Sequence, residues 1–173
     1  TIEQWRKDFA NEINNSKARN WIISAETLHS RLTTETEIDR LKNILEPLFE
    51  KINILVYLRN PVELMTSRAN EYVKSGFILE FPEPAEQKGF DIYNHELTIK
   101  AWKDRIGEGE FMPRLFDRSF LTNNDVIDDF CICCNIDRSK MIDVQRQNTS
   151  IPYYCTKLIS EVNRYVPRRW VNG

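Results

Sequence analysis

The sequence predicts an α/β fold with three layers, in which a parallel sheet is flanked by helices. Short apolar segments rich in β-branched residues alternate with longer segments whose apolar residues recur every three or four positions. Strands that alternate with helices in this way usually pair in parallel, because each helix returns the chain to the same end of the sheet. The expected order is α-β-α-β-α-α-β-α-α, within a single domain that spans residues 1–173.

The N-terminal part of the chain predicts two helices and two strands. Ile2, Trp5, Phe9 and Ile13 follow helical spacing and predict a helix over residues 2–16. The apolar segment at 20–24, NWIIS, predicts a short buried strand. Thr34-x-x-Glu37 is a capping box that predicts a helix to about residue 50, with Pro47 disturbing its last turn. Residues 52–58, INILVYL, predict the second strand.

The second strand leads directly into a helix, and this turn predicts a phosphate-binding corner. Arg59 follows the strand, Asn60 can cap the helix, and Pro61 fits its first turn. The helix is expected to reach about Lys74. Its N-terminus offers unpaired N–H groups and a partial positive charge, to which Arg59 adds a cation and Ser67 a hydroxyl about two turns along.

The C-terminal part predicts a loop, three helices and one strand. The loop at 77–90 contains Pro82, Pro84 and Gly89, and its length is typical of functional loops. Helices are predicted at 91–106 and 125–134, with a strand at 110–116 that Pro113 weakens. Residues 151–173 are expected to form a last helix and a tail. Four apolar residues share one face of that helix: Tyr154, Leu158, Val162 and Tyr165.

Composition excludes several classes of function. The formal net charge of −2 and pI near 5.8 give no basic surface for a nucleic acid. No apolar run approaches the roughly 20 residues that cross a bilayer, and no signal peptide is visible. The CICC sequence at 131–134 has no nearby histidine, so we expect core thiols rather than a metal site. Reduced thiols and the missing signal predict a cytoplasmic protein.

The segment Tyr57-Leu58-Arg59-Asn60-Pro61, followed by Ser67, Tyr72 and Gly76, resembles the nucleotide-binding sulfotransferases. In that superfamily an arginine at the strand end and a serine two turns into the helix hold the 3′-phosphate of 3′-phosphoadenosine 5′-phosphosulfate (PAPS). The resemblance implies these roles for Arg59 and Ser67, with Asn60 beside them. It also implies a P-loop nucleotide-hydrolase-like fold that transfers a sulfuryl group to a hydroxyl or amine of a carbohydrate or small-molecule acceptor, without a metal.

The flanking residues extend the resemblance to bacterial sulfotransferase-like proteins. There the upstream strand ends in Ser-Ser-Glu, and here the sequence is Ser24-Ala25-Glu26. A glutamate is the base in several carbohydrate sulfotransferases, so Glu26 is the catalytic candidate; alternatively it caps the turn or pairs with a cation. His29 and Arg118 are the candidates for substrate binding. His29 could instead be a solvated loop histidine.

One part of the superfamily pattern is missing. No Gly/Ser/Thr-rich loop with a lysine, of the kind that grips the 5′-phosphosulfate, occurs in these 173 residues. The superfamily's first strand and loop would lie before Thr1, so we expect a domain that is incomplete at its N-terminus and inactive by itself. Two alternatives stay open. One is a non-catalytic binding or scaffold domain, and the other is a kinase relative that binds ATP through a Walker lysine.

Overall fold

The computed structural model describes residues 1–25, 27–79, 90–103, 105, 109–142 and 151–166. In these ranges the chain is a mixed α/β structure with many helices and a small sheet. The helices and strands have the following bounds: α1 Ile2–Asn15, α2 Thr27–Arg31, α3 Glu35–Leu45, β1 Ile54–Leu58, α4 Pro61–Lys74, α5 His95–Lys103, β2 Phe111–Leu115, α6 Val126–Cys133 and α7 Tyr153–Tyr165. Among the described residues, no helix combines the length and apolar character needed to cross a bilayer.

The sheet consists of β1 and β2, which pair in parallel. The Ile54 N–H donates to the Glu110 carbonyl at 2.8 Å, and the Phe116 N–H donates to the Leu58 carbonyl at 2.9 Å. Pro113 lies inside β2 and has no N–H, which an edge strand tolerates. The predicted α/β class and parallel pairing are therefore confirmed. The described part of the chain contains two strands rather than the three expected.

The prediction of a strand at 20–24 is wrong. These residues form no regular secondary structure, and the Ile22 and Ile23 side chains are 55% and 45% exposed. A strand needs a neighbour for its N–H and C=O groups, and no described residue pairs with this segment in a sheet. The short helix α2 follows at Thr27–Arg31, a helix that the sequence did not predict.

Local capping signals predicted two helix starts correctly. The Thr34 hydroxyl accepts from the Glu37 N–H at 3.4 Å, and the Glu37 carboxylate accepts from the Thr34 N–H at 3.1 Å, which completes the capping box of α3. The hydrogen bonds from Thr34 lower the pKa of Glu37. At α4 the Asn60 side chain caps the helix and Pro61 is its first residue. Helix α3 ends at Leu45, two residues before Pro47, which is earlier than predicted.

Contacts within the chain define two compact units. Unit 1 comprises Thr1–Val56 and Asn94–Arg114, and unit 2 comprises Tyr57–Tyr93 and Leu115–Gly173. In unit 1, α3 packs on α5, and the buried Ile38 and Trp102 belong to this core. Arg105 forms ion pairs with Glu35 and with Asp39. These contacts hold the start of α3 to the residues after α5.

In unit 2, α4 packs on α7 through polar side chains. The Thr156 hydroxyl donates to the Asn70 side-chain oxygen at 2.5 Å, and both residues are buried. The Asn163 amide donates to the carbonyls of Val73 and Phe77, at 2.8 Å each. The Leu79 N–H donates to the Ser160 hydroxyl at 2.8 Å. Helix α7 is therefore attached through hydrogen bonds along its polar face.

Several predicted segments fall partly outside the described residues. Of the loop predicted at 77–90, residues 80–89 lie outside them, as do residues 167–173 of the predicted tail. The helix predicted at 91–106 is a 3-10 helix at Phe90–Tyr93 followed by α5. After α6 a 3-10 helix spans Arg138–Lys140, and residues 143–150 lie outside the described part.

Candidate functional site

The predicted phosphate corner lies where β1 passes into α4. Arg59 is the first residue after β1, and the N–H of Phe116, the first residue after β2, donates to the carbonyl of Leu58. Arg59 and Phe116 therefore lie at the carboxyl ends of two neighbouring parallel strands. This edge is where open α/β sheets usually bind ligands, because the chain turns away there and leaves room for them.

The Arg59 guanidinium is held on two sides. Its central carbon lies 5.4 Å from the centroid of the Phe116 ring, within range for a cation–π contact. Its Nε lies 3.3 Å from Oε2 of Glu63, in the first turn of α4. About a third of the Arg59 side chain is exposed to solvent, at 34%. The aromatic ring and the carboxylate thus orient a cation that solvent can reach.

Asn60 acts as the cap of α4. Its side-chain oxygen accepts from the Val62 N–H at 3.0 Å, and its backbone carbonyl accepts from the Leu64 N–H at 2.9 Å. The cap satisfies one of the helix's first N–H groups, which would otherwise need water or a ligand. The structure therefore gives Asn60 a role in forming the corner. Its predicted contact with a cofactor stays a prediction.

Ser67 lies two turns into α4 and is partly buried. Residues four apart share one face of a helix, so Ser67 lies one turn beyond Glu63 on the face that starts at the Arg59 corner. A guanidinium, a hydroxyl and a helix N-terminus on one face can together hold a phosphate. Glu63 places a negative charge in the middle of this arrangement. The sequence reasoning did not anticipate that carboxylate.

A second layer of residues behind Arg59 was also missed. Tyr57 meets the Phe116 ring edge-on, with ring centroids 6.2 Å apart and planes at 78°. Its hydroxyl donates to the carboxyl of Asp129 at 2.8 Å, and Asp129 is fully buried in α6. Arg59, Phe116, Tyr57 and Asp129 therefore form a continuous chain of contacts. Since Asp129 lies 72 residues after Tyr57, no local signal could have joined them.

Arg118 lies two residues beyond Phe116, at the start of a 3-10 helix, and is exposed. The carboxylate of Asp117 caps that helix by accepting from the Ser119 N–H at 2.9 Å and the Ser119 hydroxyl at 2.6 Å. These hydrogen bonds lower the pKa of Asp117. The capped turn fixes the backbone of Arg118 close to the end of β2. The proposed substrate contact of its side chain stays a prediction.

His29 belongs to unit 1, where its ring contacts α5. Its Nε2 lies 2.9 Å from the Thr98 hydroxyl, which donates to the Asn94 carbonyl at 3.4 Å. Burial lowers the pKa of His29, and nearby His95 lowers it further, so the folded protein favours the neutral ring. Which of the two groups donates in the His29–Thr98 hydrogen bond depends on the tautomer of the ring. His29 is thus half-buried rather than solvated, and it joins α2 to α5.

Glu26, the catalytic candidate, lies outside the described residues. The strand that was expected to end at Ser24 is absent, which removes the argument that Glu26 follows a strand end. Helix α2 begins directly after it, at Thr27, and the Leu28 N–H donates to the Ala25 carbonyl at 3.1 Å. The role of Glu26 as a base therefore depends on the sequence resemblance alone.

The four cysteines are all free thiols. Burial raises the pKa of Cys134, and the neighbouring Cys133 and Cys131 add to the effect. A thiol with a raised pKa stays protonated at neutral pH and is a poor nucleophile. In the ranges that the structure describes, no cluster of three or more His, Cys, Asp or Glu side chains is arranged to hold a metal ion.

Comparisons with models of known protein families, with curated proteins and with solved structures found no match to this chain.

Proposed function

We propose that this chain is a sulfotransferase-like domain in which Arg59, Ser67 and the N-terminus of α4 hold the 3′-phosphate of PAPS. One observation carries the proposal. The Arg59 guanidinium is oriented by Phe116 and Glu63 at the carboxyl edge of a parallel strand pair, immediately before a capped helix. A guanidinium can donate two parallel hydrogen bonds to a phosphate, and the helix N-terminus adds a favourable partial charge.

The reaction proposed is sulfuryl transfer to a hydroxyl or amine of a carbohydrate or small-molecule acceptor. The acceptor atom forms a bond to sulfur as the bond between sulfur and the bridging oxygen breaks, and adenosine 3′,5′-bisphosphate leaves. Glu26 takes the acceptor's proton, and no metal takes part. Arg118 contributes positive charge towards an anionic acceptor. His29 would act on the acceptor only indirectly, because its Nε2 is engaged with Thr98.

The fold proposed is the three-layer, P-loop nucleotide-hydrolase-like fold of these enzymes, which the parallel pairing of β1 and β2 supports. The location proposed is the cytoplasm, which the four free thiols support. The 173 residues contain no loop suited to the 5′-phosphosulfate. The proposal therefore assigns the 3′-phosphate contact to this chain, and transfer to a protein that contains such a loop. A non-catalytic binding domain is the second candidate, since it needs no such loop.

Nucleotide binding tests the proposal directly. We expect adenosine 3′,5′-bisphosphate to bind more tightly than AMP or ATP in calorimetry and to raise the melting temperature. Arg59→Ala should weaken the binding of the bisphosphate by at least about tenfold. It should leave the affinity for AMP almost unchanged, because only the 3′-phosphate contact is lost. Ser67→Ala should weaken the binding of the bisphosphate by roughly threefold to tenfold.

A matched control is available on the same helix. Arg68 directly follows Ser67, but its guanidinium lies 5.8 Å from the Tyr93 ring centroid, so Arg68→Ala should leave the affinity unchanged. Equal loss of AMP and bisphosphate binding in Arg59→Ala would show that Arg59 does not contact a 3′-phosphate. Preference for ATP would favour the kinase relative. Bisphosphate binding without transfer, in a longer protein that lacks the loop, would favour the non-catalytic domain.

A further inference from the structure

Helix α7 exposes its apolar side. We call five residues the α7 stripe: Tyr154, Leu158, Val162, Tyr165 and Val166. Their exposed fractions are 72%, 64%, 49%, 82% and 66%. The opposite face, which carries Thr156, Ser160 and Asn163, is buried against the rest of unit 2. Amphipathic helices usually bury the apolar side, so this orientation leaves a continuous apolar surface of the kind that marks an interaction site.

The stripe is large enough to support an interface. A whole aromatic side chain offers roughly 150–250 Å², so the five residues at these exposures leave roughly 600 Å² open in each copy. Two such surfaces facing each other would bury roughly 1,200 Å², which lies at the lower limit of specific protein–protein interfaces. One stripe placed on another therefore reaches the size that a specific dimer needs.

Charges of both signs lie along one flank of the stripe. At about 100° per residue, Glu161 and Lys157 lie about 60° and 100° from Leu158, on the same side. The Lys157 ammonium lies 5.2 Å from the Tyr153 ring centroid, and Glu161 forms an ion pair with Arg164 at 3.2 Å. A lipid surface favours a flank of one, basic sign. A flank that carries both signs can instead pair with the same flank of a second copy that runs in the opposite direction, because opposite charges then meet.

We propose that the α7 stripe is the contact between two copies of this chain, which pair as antiparallel helices about a two-fold axis level with Ile159. In such a pair, residues equally far from the axis on either side face each other, and like flanks meet. Lys157 of each copy then faces Glu161 of the other, so the ion pair forms twice. Leu158 and Val162 of each copy lie at the centre of the interface, with Tyr154 and Tyr165 further out.

Sedimentation equilibrium over a range of protein concentrations tests this pairing. The wild-type chain should show a monomer–dimer equilibrium. Leu158→Asp should weaken it by at least about tenfold, because a carboxylate would be buried at the centre. The matched control is Ile132→Asp, which replaces an equally exposed apolar residue, at 64%, on α6. A wild-type chain that stays monomeric, or equal effects of the two variants, would overturn the proposal.

Charge reversal tests the antiparallel geometry. Lys157→Glu and Glu161→Lys should each weaken the dimer at least about fivefold, since like charges then meet twice. The double variant K157E/E161K restores both pairs with their signs exchanged, so its dimer constant should return to within about threefold of the wild type. Additive loss in the double variant would rule out the pairing. Vesicle binding by a monomer would assign the stripe to a lipid surface instead.

Discussion

The Tyr57 hydroxyl donates a 2.8 Å hydrogen bond to the Asp129 carboxyl, which joins the end of β1 to the buried side of α6. The other carboxyl oxygen accepts from the Thr122 N–H at 3.1 Å and from the Thr122 hydroxyl at 3.0 Å. A carboxyl that is fully buried needs such donors, because burial removes its contacts with water. The Tyr57 ring in turn meets Phe116, on which Arg59 lies.

Replacing Asp129 by alanine should destabilise the protein strongly. The Tyr57 hydroxyl and both Thr122 donors would lose their acceptor in a buried site. We expect Asp129→Ala to lower the free energy of unfolding by about 3 kcal/mol, and Tyr57→Phe to lower it by about 1 kcal/mol. Urea unfolding followed by circular dichroism measures both values.

A double-mutant cycle of the same two residues isolates their hydrogen bond. If the bond exists, the double variant should be less destabilised than the sum of the single variants, by about 1 kcal/mol. Strict additivity would show that Tyr57 and Asp129 do not interact. Asp129→Asn should cost less than Asp129→Ala, because its amide oxygen can still accept from Thr122.

Signals carried by neighbouring residues predicted much of the fold correctly. Thr34 and Glu37 form the capping box of α3, and Asn60 with Pro61 begins α4, because each cap depends on residues within one turn. The parallel pairing of β1 and β2 also follows the predicted alternation. The strand at 20–24 failed because a strand requires a partner, and apolar composition alone does not supply one.

Contacts between distant residues could not be predicted. The spacing of Tyr154, Leu158 and Val162 identified α7 as a helix, but apolar spacing normally marks the buried face. Here Thr156 is buried instead and donates to Asn70, which lies 86 residues earlier in the chain, so no local signal indicated the contact. At the candidate site, Arg59 and Ser67 followed from a local pattern. The Phe116 ring beneath Arg59 belongs to the other strand, and nothing near Arg59 in the sequence indicates it.

Asn163 should be sensitive even to an isosteric change. Its amide donates to the carbonyl of Val73, near the end of α4, and to that of Phe77, three residues after the helix. Asn163→Asp replaces the donor by an acceptor that faces two carbonyl oxygens, so we expect a loss of about 3 kcal/mol in the free energy of unfolding. Thermal or urea unfolding measures this loss.

The exposed Asn43 of α3 offers a control, since Asn43→Asp should change stability only slightly. Comparable losses in the two variants would contradict the role of Asn163.

Glu63 should oppose a bound phosphate electrostatically. Its carboxylate lies beside Arg59 and one turn before Ser67, so Glu63→Gln removes a like charge from the neighbourhood of the anion. Between exposed charges such a repulsion costs up to about 1 kcal/mol of binding free energy. Adenosine 3′,5′-bisphosphate should therefore bind Glu63→Gln about twofold to fivefold more tightly. The gain should shrink as salt screens the charges. Calorimetry at low and high salt measures both effects.

The same helix provides a control for Glu63. Glu71 forms an ion pair with Lys74 at 3.0 Å, two turns further from the corner, so Glu71→Gln should leave the affinity unchanged. Weaker binding in Glu63→Gln would contradict the prediction. It would mean that the carboxylate's main effect is to orient the guanidinium of Arg59.

His29 should make stability depend on pH below neutrality. Burial, followed by the nearby His95, lowers the pKa of His29 from its ordinary value of 6.5. Between the lowered pKa and 6.5 the unfolded chain binds more protons than the folded protein, so the stabilisation is complete above pH 6.5 and is lost as pH falls through the lowered pKa. We therefore expect the urea midpoint of unfolding to decrease as the pH is lowered from 7.5 to 5.5. In His29→Gln this decrease should be smaller. His95→Gln, which leaves the burial of His29 in place, should retain most of it. An unchanged pH profile in His29→Gln would show that folding does not lower the pKa of His29.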